Sequence, residues 1–184
     1  MTRRFPAFAA ALMAVALTAA PAVAHERPSR PQAAAATLVG VASAAPQFST
    51  LTAAVGAAGL ADTLAGAGPF TVFAPTDDAF AALPAGTVER LTQPGQRRTL
   101  ARILTYHVVP GRISARDLAT AVRVGGGSAE LTTVQGGRIT AEDAGRGRLR
   151  LTDSQGETFW ITATDIGASN GVIHVIDGVM TPGH

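Results

Sequence analysis

Apolar and polar positions along the chain change their period several times, and each change predicts an element. From Thr37 the pattern is helical: Leu38, Val41 and Ala42 share a face at i, i+3 and i+4. Phe48, Leu51, Val55 and Leu60 continue near helical spacing, extended by Leu64, until Gly66-Ala67-Gly68-Pro69 breaks it. Phe70 to Phe73 is a short apolar run, predicted as a buried strand, and Ala74-Pro75 ends it. Thr76 is a predicted N-cap, with Asp77 and Asp78 in the first turn, where carboxylates meet the positive end of the helix dipole. Val88 and Leu91 mark a short helix, closed by Pro94-Gly95. Leu100, Ile103, Leu104 and His107 then define the buried face of another. The chain is expected to turn extended near Tyr106, run through Val108-Val109 and stop at Pro110-Gly111, after which Ser114 caps a further helix.

The second half reads as strands. Glu130–Val134 and Arg138–Ala141, joined at Gly136-Gly137, predict a hairpin. Arg148 to Leu151 alternates strictly, so one face is wet. Thr158 to Thr164 alternates as well, with Phe159, Ile161 and Ala163 on one face and Trp160, Thr162 and Thr164 on the other. Val172 to Val179 is apolar on both faces, as in a central strand, and the turn dipeptide Asn170-Gly171 precedes it. Asn170 is the only asparagine in the chain. Helices first, one early strand, more helices, then a run of strands predict one α+β domain with a mostly antiparallel sheet.

The N-terminus carries a different signal. A positive start at Arg3-Arg4, an apolar stretch from Phe5 to Ala20 and the small-residue pattern Ala22-Val23-Ala24 predict a signal peptide over residues 1–24. Residues 25–36, with two prolines and no hydrophobic period, read as a flexible linker, and the domain as residues 37–182. The protein is expected to be secreted or periplasmic.

Composition narrows the chemistry. The chain has 184 residues, 47% hydrophobic and 15% charged, enough for a sizeable core. It has no cysteine, so disulfides and thiolate sites are excluded. All 15 basic residues are arginine, which excludes lysine chemistry. Setting aside Arg3 and Arg4 leaves arginines and carboxylates equal in number, so net charge gives no support to nucleic-acid binding. Gly125-Gly126-Gly127-Ser128-Ala129 lacks the last glycine of a nucleophile elbow, and the four histidines are scattered. The reading is therefore no enzyme, no cofactor and no metal site.

Three segments together resemble the fasciclin-like domain family. Thr71 to Phe80 (TVFAPTDDAF) is similar to its first signature segment, Tyr106 to Gly111 (YHVVPG) to its tyrosine-histidine motif, and Ala168 to Val179 (ASNGVIHVIDGV) to its second. The resemblance implies a twisted β-wedge of mostly antiparallel strands flanked by short helices. It also implies a surface or secreted role in adhesion, with a surface or matrix protein as partner. Some members resemble carotenoid-binding proteins, so carriage of an apolar small molecule is the alternative.

Animal members of the family often present an Asp-Ile pair just before the second segment as an integrin-binding element, and Asp165-Ile166 occupies that place. Its flanks differ: Ala163-Thr164 before it and Gly167 after it lack the charged or proline residues of the animal motif. Two readings stand for the pair. It is an adhesive contact on a loop between two strands, or Ile166 is a buried plug and Asp165 closes a turn. For Tyr106, His107, Asn170, Gly171 and His174 the favoured reading is structural: a packed ring with a bonded hydroxyl, a turn dipeptide, and core histidines with satisfied hydrogen bonds.

Overall fold

The computed structural model describes residues 36–145 and 147–183, so the expected signal peptide and nearly all of the expected linker lie outside the described residues. The described chain is α+β. A seven-stranded sheet has the order β2-β1-β7-β6-β5-β4-β3. Its strands are β1 (Phe70–Pro75), β2 (Val108–Pro110), β3 (Ser128–Thr132), β4 (Arg138–Asp143), β5 (Leu149–Thr152), β6 (Thr158–Ala168) and β7 (Gly171–Ile176). Only β1 and β7 pair in parallel; the other five pairings are antiparallel. The two ends of the sheet approach each other, because Val134 N–H in the β3–β4 turn donates to the Val108 carbonyl of β2 at 2.7 Å.

Among the described residues seven α-helices accompany the sheet, besides short 3-10 turns at Pro46–Phe48 and Pro94–Gln96: α1 (Leu38–Ala44), α2 (Ser49–Ala58), α3 (Ala61–Ala65), α4 (Asp77–Ala81), α5 (Thr87–Leu91), α6 (Arg97–Tyr106) and α7 (Ala115–Val124). The helical pattern predicted to run through Leu60 to Leu64 is broken. Gly59 takes the left-handed conformation at φ 69° that caps α2, and α3 starts afresh at Ala61. Arg97 seals that end by donating from Nε to the Ala58 carbonyl at 3.1 Å.

The period of two along β1 and β7 divides the core. Val72, Ala74, Ile173 and Val175 face a cluster built with α1 to α4 and α6, while Phe73 and Ile176 face a second cluster with α7 and the later strands. Phe48, Tyr106, Leu118 and Ile139 are fully enclosed. Each such side chain contributes roughly 1.5–3 kcal/mol by leaving water. No single helix among the described residues is long and apolar enough to cross a membrane.

The acidic pair at the start of α4 does more than sit in a dipole. Thr76 caps the helix as predicted, its hydroxyl accepting from Ala79 N–H at 3.3 Å. Asp77 reaches across to α2 and accepts from Ser49 Oγ at 2.6 Å and Thr50 N–H at 2.8 Å, so one carboxylate caps a second helix. Burial works against its ionisation, but these bonds outweigh it and hold the carboxyl below the usual aspartate value. Asp78 is exposed.

Candidate functional site

Asp165 and Ile166 do not lie on a loop. The strand predicted to end at Thr164 continues to Ala168, and both residues belong to β6. The register explains their prominence. Ile161 pairs with Ile176, Ala163 with Val175 and Ile166 with Ile173, so β6 gains one residue on β7 at each of two bulges. Asp165 sits in the second bulge at φ 59°, the only described non-glycine residue at positive φ. Aspartate tolerates this conformation better than most residues because its short polar side chain bonds locally.

Those bonds are defined. Asp165 Oδ1 accepts from Ala115 N–H at 2.9 Å, the first residue of α7, whose own capping box joins Ser114 and Asp117. Hydrogen bonds from Ser114 hold the Asp117 carboxyl below its ordinary value. Asp165 N–H points at His174 Nδ1, 3.4 Å away. His174 is fully buried, stacks on Phe73 at 5.6 Å between ring centroids, and its Nε2 lies 2.9 Å from the Ile113 carbonyl. This pattern assigns the proton to Nε2. Asp165 itself is exposed, while Ile166 is half-buried against the first core cluster. The pair is thus divided: a carboxylate on the surface with one oxygen in a helix cap, and an apolar side chain leaning inward.

The tyrosine-histidine motif is also differently placed from the expectation. Tyr106 ends α6 and His107 is its C-cap in right-handed helical conformation, so neither is extended. Both side chains are buried, Tyr106 at 0% exposure and His107 at 2%. Tyr106 donates from its hydroxyl to the Arg138 carbonyl at 2.6 Å and accepts from Ser154 N–H at 3.0 Å. Its ring lies so close to Gly137 that a Cβ there would land on it, which is why that hairpin position has no side chain. His107 bonds the Ile103 carbonyl through Nδ1 at 2.9 Å and accepts from Met180 N–H at Nε2, 3.0 Å away.

Asn170 turns out to be a clamp. Its Oδ1 accepts from Leu38 N–H at 2.9 Å, and its Nδ2 donates to the carbonyls of Leu64 at 2.7 Å and Gly66 at 2.9 Å. Its backbone carbonyl accepts from Phe70 N–H at 3.0 Å. One side chain thereby joins the start of α1 to the end of α3 beside the β6–β7 turn. Gly171 follows because a Cβ there would strike the Phe70 carbonyl.

Asp153 was not singled out from the sequence. It is 6% exposed, and it accepts from Gln155 N–H, Glu157 N–H and Thr181 N–H at 2.9, 3.0 and 3.2 Å. The Asp153-Ser154-Gln155-Gly156 turn chemistry was available to find it. The tie to Thr181 was not.

A match to the family model described as Fasciclin domain covers residues 46–182. The chain belongs to the fasciclin domain family. Protein sll1483 of Synechocystis sp. is 47% identical over 148 residues, which is 80% of this chain and 74% of that protein. Cell surface glycolipoprotein MPB83 of Mycobacterium bovis is 34% identical over 142 residues, 74% of this chain and 56% of that protein. A domain pair from the insect cell adhesion molecule Fasciclin I superposes with a TM-score of 0.68 at 21% identity, over 78% of this chain, which spans 50% of that structure. At that identity the likeness establishes the fold. In the fasciclin frame the three signature segments form β1 with α4, the α6–β2 junction, and the β6–β7 hairpin. Among the described residues no three histidine or acidic side chains come together as metal ligands.

Proposed function

We propose that this chain is an exported, non-enzymatic recognition module of the adhesion type. The observation that carries the reading is the contrast within the family motifs. Tyr106, His107, Asn170 and His174 are engaged in internal hydrogen bonds, whereas Asp165 is exposed and held rigidly in its bulge with the cap to α7. Its Oδ2 makes no hydrogen bond among the described residues and faces solvent, ready for an arginine or a cation of a surface or matrix protein. The membership of cell-surface and adhesion proteins in the family supports the same reading.

Attachment of purified protein to the producing cell's surface tests it. Asp165→Ala should weaken attachment while costing the fold about 1–3 kcal/mol, the loss of one exposed cap plus the strain of alanine at positive φ. Ile166→Ala should lower stability by about 1–2 kcal/mol, less than a fully buried isoleucine, because the side chain is half-buried. Unchanged attachment of a folded Asp165→Ala protein removes this residue as a contact.

Export is checked by N-terminal sequencing of secreted material, which should begin at His25. An intact leader in a membrane fraction would make residues 1–24 an anchor.

Carriage of an apolar molecule such as a carotenoid has weaker support. The apolar cavity between α1, α2 and the sheet, lined by Leu38, Val39, Val55 and Ile173, measures about 30 Å³. That is the room of one water, against roughly 300–1,000 Å³ for small-molecule sites. Visible absorbance in protein from the native host would revive the carrier reading.

A further inference from the structure

The balanced charge of the chain conceals a segregation. Between Glu89 and Asp117 stand Arg90, Arg97, Arg98, Arg102, Arg112 and Arg116, with no carboxylate among them. Arg97 serves the fold through its bond to α2. Arg98 and Arg102 lie one helical turn apart on the solvent side of α6 with Thr99, and all three are exposed. Arg90 is exposed on α5, the helix packed against α6. The ion pairs among the described residues are Arg138–Glu130 and Arg150–Glu142, so the α6 arginines have no carboxylate partner there. Arginines of one sign without local counter-charge set up an attractive field for anions.

The ridge borders a concavity. A cleft of about 300 Å³ lies between α6 and the C-terminal segment, lined by Thr99, Arg102, Gln155, Thr181 and Pro182. Gln155 Nε2 donates to Thr181 Oγ1 at 2.7 Å and fixes one wall. Arg102, Thr99 and the Gln155–Thr181 pair thus edge a mainly apolar cleft, floored in part by Ile103, in the size range of a small-molecule site.

We propose that this face binds an acidic polysaccharide, with Arg98 and Arg102 on its carboxylate or sulfate groups and the cleft receiving a sugar residue. The proposal names a partner class for the recognition reading above and rests on it. Arginine suits the role because its planar fork meets such anions in bidentate fashion. A polysaccharide fits better than an anionic bilayer. Membrane-surface binding adds apolar insertion to charge. The exposed large apolar side chains among the described residues are Val124, at the end of α7, and Val134, in the β3–β4 turn, not on α6.

Full chain as secreted is titrated with sodium alginate, neutral dextran and phosphatidylglycerol vesicles at low and high salt. Alginate should bind and weaken with salt, and dextran should not bind. Arg98→Ser with Arg102→Ser should weaken alginate binding by roughly tenfold or more at an unchanged melting temperature. Arg123→Ser with Arg148→Ser removes the same charge from exposed positions outside this run and should leave binding within about twofold. Equal loss in both double variants, absence of alginate binding, or binding to vesicles in its place overturns the proposal. An Arg98→Ser/Arg102→Ser protein that loses alginate but attaches to cells like the wild type also overturns it, and leaves the recognition reading standing.

Discussion

Replacing Asn170 with leucine is expected to destabilise the domain by about 2–4 kcal/mol. Three partners lose their bonds at once: Leu38 N–H and the carbonyls of Leu64 and Gly66. Each is a backbone group that leucine cannot satisfy, at roughly 1 kcal/mol or more apiece for partly buried groups. For a domain of this size that lowers the melting temperature by about 10 °C. Asn170→Asp should be no better. Its carboxylate can still accept from Leu38, but its second oxygen then faces two carbonyl oxygens. Thermal melts of both variants decide the matter. A melting temperature within about 2 °C of wild type would mean that water replaces the clamp, and that the asparagine serves only the turn.

Acidification from pH 7 to pH 4 is expected to cost about 3 kcal/mol through His107 alone. Burial pushes its pKa down from 6.5 to about 4, with the Ile103 carbonyl and the Asp153 charge pulling partly the other way. The bonds show why the neutral ring is preferred. Nδ1 carries the proton toward Ile103, so Nε2 must keep its lone pair for Met180 N–H. A second proton would set two donors against each other in a buried site. Below 6.5 the unfolded chain takes up a proton that the folded chain refuses. Stability from this group is therefore complete above pH 6.5 and falls as the pH drops toward 4. Asp77 and Asp117, whose pKa values are lowered from 3.8, add their own losses only below that value. Urea unfolding at several pH values separates the two windows. His107→Asn, which can still donate to Ile103, should be less stable at pH 7 and lack the loss between 6.5 and 4. The same acid slope in that variant would assign the effect elsewhere.

Much of the fold was legible in local pattern. The i, i+3, i+4, i+7 spacing of Leu100, Ile103, Leu104 and His107 marks the buried face of α6, and the apolar run after Asn170-Gly171, interrupted only by His174, marks the central strand β7. Thr76 and Ser114 announce helix starts because a cap bonds a backbone group only two or three residues away. Such preferences act within about one turn, so they survive in a bare sequence.

The candidate site was less legible because its decisive features depend on which segments meet. Asn170 marks a turn from its neighbours, but its bond to Leu38 spans 132 residues. The bulges in β6 arise only when the eight residues Ile161 to Ala168 are matched against the six of β7, and they bring Asp165 at positive φ to the start of α7. The helical ending at Tyr106-His107 depends on the sheet waiting beneath α6 and on Arg138, Ser154 and Met180 arriving from the far half of the chain. A residue type and its neighbours determine what a side chain is able to bond. Only the packed chain determines which partner is within 3 Å, because distant segments are brought together by the burial of the whole core and not by any local preference.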